Sequence, residues 1–112
     1  MFMKLIHYLS SNGKDIFQEW LDSLRDMSAR VSILRRLDRL ASGNFGDCKA
    51  CGNSVSELRI NVGQGYRVYY SRMDKVIILL LCGGDKSTQR KDIETAIGYL
   101  NDFKRREAFE YE

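Results

Sequence analysis

Arg59 and Arg67 are singled out by where they fall. Val55 to Val62 alternates, with Leu58, Ile60 and Val62 on one side and Glu57, Arg59 and Asn61 on the other. Tyr66 to Arg72 alternates again, setting Tyr66, Val68 and Tyr70 against Arg67, Tyr69 and Ser71. Gly63-Gln64-Gly65 between them predicts a tight hairpin that brings the two arginines near each other on one sheet face. Like charges at close range on a sheet repel, so the pairing needs a reason. One is an anionic ligand, because guanidinium forks match phosphate oxygens bidentately. The other is a pair of ordinary ion pairs, for instance Arg59 with Asp92 or Glu57. The phosphate reading fails if the two arginines splay apart, or if each is already neutralised by a buried carboxylate.

Other residues extend that expectation. Tyr69 shares Arg67's face and is the candidate for stacking on an unpaired RNA base, whereas Tyr66 and Tyr70 pack inward. Gly83-Gly84-Asp85-Lys86-Ser87-Thr88-Gln89 puts a glycine pair after an apolar strand and before a helix. There the backbone can approach a phosphate and the helix N-terminus favours anions. The spacing of a P-loop is missing. Lys86 joins the arginines as a candidate catalytic cation, and Gln89, Arg90 and Lys91 follow as candidate RNA contacts. Cys48 and Cys51 form a C-x-x-C, but only Cys82 and His7 remain to complete a zinc set, so no metal and no cofactor is expected. His7 reads as structural. Arg35, Arg36 and Arg39 read as a solvated helix face that could meet RNA or an acidic partner.

The elements that must position these residues follow from periodicity. Residues 2 to 9 predict a strand closed by the Ser10-Ser11-Asn12-Gly13 turn cluster. Ile16, Phe17, Trp20, Leu21 and Leu24 form one helical stripe. A second helix is expected from Ser28 to Ser42, with Ile33, Leu34, Leu37, Leu40 and Ala41 inward and Gly43 as its stop; the short connection suggests an antiparallel helical hairpin. Residues 43 to 54 carry turn formers without a period and read as a loop. After the hairpin, Lys75 to Cys82 is apolar on both faces, as a strand covered on both sides must be, and Gly83-Gly84 ends it. A last helix runs from Thr88 to Phe109, with Ile93, Ala96, Ile97, Leu100 and Phe103 buried. The expected order is β-α-α-β-β-β-α, an α+β fold with a mainly antiparallel twisted sheet, in one domain spanning 1–112.

Composition sets bounds on all of this. The 112 residues are 44% hydrophobic and 29% charged, ordinary for a globular domain with one core. Lys and Arg total 18 against 15 Asp and Glu, and the tail turns acidic at Glu107, Glu110 and Glu112. A charge of +3 alone does not imply a nucleic-acid partner. No apolar run approaches the roughly 18 residues that span a bilayer, and Met1 to Leu9 lacks the marks of a signal peptide. A cytoplasmic protein is expected. Three cysteines, an odd number, argue against a disulfide framework.

Ser56-Glu57-Leu58-Arg59-Ile60, Gly65-Tyr66-Arg67-Val68-Tyr69-Tyr70 and Leu79-Leu80-Leu81-Cys82-Gly83-Gly84-Asp85-Lys86-Ser87-Thr88-Gln89 together resemble the RelE/ParE superfamily of bacterial toxins. The branch they resemble is the HigB-like addiction module killer group, and the similarity covers nearly the whole chain, including Trp20-Leu21 and Asp92-Ile93. The resemblance implies a RelE-like fold and a type II toxin neutralised by a cognate antitoxin, of helix-turn-helix type. It implies a metal-independent endoribonuclease that cuts mRNA on the ribosome by attack of the ribose 2′-hydroxyl on the adjacent phosphate. Carried over by position, Arg67 is the firmest match, with Arg59 and Lys86 next. RelE-like toxins place a tyrosine early in the last helix, and HigB-like proteins a histidine or tyrosine; here Ile93 stands there and neither occurs before Tyr99. ParE-like relatives are described as DNA gyrase inhibitors, and an inactive RNA- or antitoxin-binding domain is a third possibility.

Overall fold

A computed structural model describes residues 2–110, with side chains described for 2–108; Met1 and Glu112 lie outside it, as does the side chain of Glu110. The elements are β1 (Lys4–His7), α1 (Ile16–Ser23), α2 (Met27–Ala41), β2 (Cys48–Gly52), β3 (Val55–Ile60), β4 (Tyr66–Arg72), β5 (Ile77–Asp85) and α3 (Gln89–Glu110), with a single 3-10 turn at Lys86–Thr88. Aspartates start the first two helices: Asp15 accepts from the Gln18 N–H, and Asp26 from the N–H groups of Ser28 and Ala29. Each satisfies donors that a helix start leaves without partners.

The five strands form one mixed sheet in the order β1-β5-β4-β3-β2. β1 runs parallel to β5, and the other pairs are antiparallel. Alternation along β5 explains its unbroken apolar run. Ile78 and Leu80 join Phe17, Leu21, Ile33, Leu37 and Leu40 in a core under α1 and α2. Leu79 and Leu81 join Ala96 and Leu100 in a second core under α3. The fold is therefore α+β, with helices on both faces of the sheet. The far part of α3 is tied to the end of β1 through Tyr8, which stacks on Tyr99 with ring centroids 4.8 Å apart. The Tyr8 hydroxyl donates to Asp102 at 2.6 Å.

Several expectations are corrected. Residues 43 to 54 are not wholly a loop, because Cys48–Gly52 pairs with β3 as an edge strand. Asn53 and Ser54, at φ +53° and +65°, make the two-residue turn between them, the left-handed geometry that suits a hairpin. Gly83 and Gly84 do not end β5, which continues to Asp85. A Cβ at Gly83 would lie 2.3 Å from the Trp20 ring, and one at Gly84 would lie 1.9 Å from an Asp92 carboxylate oxygen. The glycine pair admits a ring on one face and a carboxylate on the other, not a phosphate. Leu34 is 48% exposed rather than inward. Both helices share one core under the sheet's first face, α1 packing on β5 and α2 on β3.

Candidate functional site

The β3–β4 register sets Arg59 directly opposite Arg67, and the β4–β5 register sets Arg67 opposite Gly84. All three belong to the sheet face that α3 covers, near the end where α3 begins. The turn that closes this hairpin needs glycine: Gly63 and Gly65 have φ of +53° and +82°, and the Gly65 N–H donates to the Val62 carbonyl at 2.9 Å. The Lys86 N–H then donates to the Gly65 carbonyl at 3.1 Å, joining the start of the last helical segment to the hairpin tip.

Arg59, Arg67 and Lys86 line one cleft of about 460 Å3, together with Asp47, Asn61, Gln64 and Tyr66. Clefts that hold small ligands span roughly 300–1,000 Å3. Beneath the arginines lies Glu57, fully buried at 0% exposure. Arg59 Nε donates to Glu57 Oε1 at 3.0 Å, and its Nη2 is also 3.0 Å from that oxygen. Arg67 Nε lies 3.3 Å from Glu57 Oε2, close enough for ion pairing but misaligned for a hydrogen bond, so this buried N–H has no partner among the described residues. Gln89 Nε2 donates to both Glu57 oxygens, at 2.9 and 3.2 Å.

One carboxylate thus serves two guanidiniums. The arginines converge, as the alternation predicted, and the carboxylate that would weaken a phosphate site is also present, shared between them. Arg59 and Arg67 keep 31% and 11% of their side-chain surface exposed. Arg59, Arg67 and Lys86 stand with Asp47 at the rim and Glu57 beneath, and two further carboxylates lie close by, Asp92 against Gly84 opposite Arg67 and Asp85 on Gln64. Asp47 is itself engaged, accepting from Asn61 Nδ2 at 3.1 Å. Asp85 accepts from the Ser87 hydroxyl and backbone N–H, which hold its carboxyl below the usual range.

Residues 19–99 match the family described as Phage derived protein Gp49-like (DUF891), a span that includes Arg59, Arg67 and Lys86. The chain belongs to the Gp49-like family. An uncharacterized protein of Haemophilus influenzae (strain ATCC 51907 / DSM 11121 / KW20 / Rd) is 51% identical over 80 residues, covering 71% of this chain and 81% of the relative.

Within this Gp49-like chain the expected site residues divide. Arg59, Arg67 and the exposed Lys86 come together at the cleft. Gln89 reaches the cluster from below, with its amide already engaged by Glu57. Arg90 and Lys91 lie exposed at the start of α3, outside the lining of the cleft. Tyr69 does not present its ring for stacking: it is 0% exposed, packed under α3 with Leu79, Leu81 and Ala96. Burial, with the Glu57 charge second, pushes its phenol up, and its hydroxyl has no hydrogen-bond partner among the described residues. Arg36 is not a solvated charge either, because it donates to the carbonyls of Arg59, Phe45 and Asp47. His7 pairs with Asp15 at 2.8 Å, a contact between β1 and the start of α1. No three His, Cys, Asp or Glu side chains gather as a metal-ligand set among the described residues.

The ion pair of Arg59 with Glu57 was one of the two alternatives the sequence offered and it is present, but the sharing of Glu57 with Arg67 and Gln89 was missed. The available signal was the two-residue offset of Glu57 from Arg59, which puts both side chains on one strand face. Asp47 and Gln64 sit in segments without period, and only the closed hairpin gathers them with Asn61.

Proposed function

We propose that this Gp49-like protein is the toxin of a toxin–antitoxin pair, an endoribonuclease that cuts mRNA on translating ribosomes like the RelE- and HigB-like toxins its strand motifs resemble. The observation that carries the reading is the convergence of Arg59, Arg67 and Lys86 on one cleft, with two guanidiniums sharing one carboxylate. A scissile phosphate is a ligand whose oxygens two converging guanidiniums and an ammonium can grip together.

In the proposed reaction the ribose 2′-oxygen attacks the adjacent phosphorus and the bond from phosphorus to the 5′-oxygen breaks. The 2′ proton leaves to a base, and the 5′-oxygen gains one. The products are a 2′,3′-cyclic phosphate and a 5′-hydroxyl. Negative charge grows on the non-bridging oxygens in the transition state, where fixed donors are worth most. Glu57 holds the Arg59 and Arg67 guanidiniums in place before substrate arrives, so little reorganisation is needed. Lys86, exposed at the mouth, adds a mobile cation there. The partner on this reading is a cognate antitoxin that covers the cleft, and the substrate is mRNA on the ribosome.

Adding the protein to a translating extract and mapping mRNA 5′ ends tests this, beside a gyrase supercoiling assay. New ends inside the reading frame are expected. Intact mRNA with lost supercoiling would instead assign the protein to the ParE-like gyrase inhibitors, and intact mRNA with normal supercoiling would leave a binding domain without catalysis.

A further inference from the structure

A second groove, of about 240 Å3, lies beside the cleft and is lined by Ser32, Arg35, Arg36, Arg39, Asn61 and the aliphatic pair Ile60 and Val62. Asn61 lines both, so the two openings adjoin along the end of β3. We propose that this groove is a second phosphate subsite, holding the backbone of the same single-stranded RNA whose reacting phosphate sits among Arg59, Arg67 and Lys86. The inference rests on the cleft reading above.

Three observations support it. Arg35 and Arg39 are four residues apart on α2, with Arg36 between them, an array of like charges that repel on a helix surface. Among the described residues neither Arg35 nor Arg39 forms an ion pair, which is also true of Arg25, Arg36, Arg72 and Arg90. Of these six only Arg35, Arg36 and Arg39 line the groove, and Arg36 is occupied by backbone carbonyls, which leaves Arg35 and Arg39. Both guanidiniums therefore stand available to an anion from outside. Arg36 has a different role: its guanidinium donates to the carbonyl of Arg59 and to those of Phe45 and Asp47, across the gap from α2 to the sheet. That clamp ties the helix carrying Arg35 and Arg39 to the strand carrying Arg59. It fixes the spacing of the two openings, as reading successive phosphates of one strand requires.

The polymer fits better than a free anion. An isolated phosphate needs only the cleft, whereas a chain leaving it over Asn61 meets Arg35 and Arg39 next. The apolar floor of Ile60 and Val62 suits the ribose or base between two charges. Phosphate contacts of this sort position a strand without reading its sequence.

The test is fluorescence anisotropy with uncleavable 2′-O-methyl oligouridylates of two and eight nucleotides, titrated across KCl concentrations. The proteins are wild type, the double variant R35Q/R39Q and the single variant K86Q. Each phosphate contact on a single strand contributes about 0.7 to the slope of log affinity against log salt. R35Q/R39Q is expected to lower that slope by roughly 1.4 for the octamer, a weakening of about 25-fold at 0.1 M KCl if the contribution is wholly electrostatic. The dinucleotide should change less than about twofold, since it reaches only the cleft, while K86Q should weaken both lengths. Octamer binding unchanged in R35Q/R39Q overturns the subsite even if K86Q behaves as expected. An octamer sensitive to R35Q/R39Q but indifferent to K86Q would sink the cleft reading and the shared strand with it. Should the double variant instead weaken only binding of a glutamate-rich peptide, the groove is a protein contact and the proposal is wrong.

Discussion

Replacing Glu57 with glutamine keeps the side chain's shape and removes the single charge that two guanidiniums share. Breaking a fully buried ion pair by neutralising one partner costs about 3–5 kcal/mol. Glu57 is fully buried, but Arg59 and Arg67 keep 31% and 11% of their surface exposed, so water offsets part of the loss. Gln89 keeps a partner in the new amide oxygen. A destabilisation of about 2–3 kcal/mol, discounted to just below that range, is the reasoned figure. With a urea slope of about 1.5 kcal/mol per molar, the unfolding midpoint should fall by about 1.3–2 M. Sulfate supplies a second readout, because a ligand that binds only the folded state stabilises it by mass action. In the glutamine variant both guanidiniums lack a counter-charge, so sulfate should raise the midpoint more than in wild type at equal ionic strength. A midpoint shift below about 0.3 M would refute the claim that Glu57 organises the pair. Equal sulfate responses would refute the claim that carboxylate and external anion compete for the same arginines.

Gly83→Ala should destabilise the protein by about 2 kcal/mol, since the added methyl would meet the Trp20 ring at 2.3 Å; a thermal midpoint unchanged from wild type would show that Trp20 can move aside. Tyr69→Phe removes a buried hydroxyl that has no partner among the described residues, so urea stability should hold or rise and RNA cleavage should persist, whereas a base-stacking or proton-donating Tyr69 would make activity fall. Acid should weaken the fold through Asp102 and Asp85: hydrogen bonds from the Tyr8 hydroxyl and from Ser87, respectively, hold their carboxyls below the ordinary range. A depressed folded pKa gives stability that is complete above the unfolded value near 4 and lost as pH falls through the folded one. The urea midpoint at pH 3 should therefore lie below that at pH 7, and equal midpoints would contradict the assignment.

The parts of this fold that show in the sequence are those where one face is buried. Leu58, Ile60, Tyr66, Val68 and Tyr70 alternate because α1 and α2 cover them, and from that alternation follow the hairpin, its register and the facing arginines. β2 gives no such signal: most of Cys48–Gly52 is exposed, so no apolar period marks it. Leu34 shows the converse, an apolar residue at helical spacing that α2 leaves half exposed. Gly83 and Gly84 misled for another reason. Glycine marks both turns and close approach, and only the positions of Trp20 and Asp92 tell them apart. At the site, Arg59, Arg67 and Lys86 were legible from strand phase and position. The sharing of Glu57, the engagement of Gln89 and the clamp made by Arg36 depend on distances across the chain that no local pattern encodes.

The most direct test is the rate constant for cutting one short mRNA on programmed ribosomes, measured for wild type and Arg67→Ala. Glu57 retains Arg59 and Gln89 as partners in that variant, so folding should survive, and circular dichroism would check it. A fixed donor lost from developing charge costs about 2.7–4 kcal/mol of barrier, and the account predicts cleavage slowed roughly 100- to 1,000-fold. Cleavage by Arg67→Ala within about threefold of wild type would contradict it.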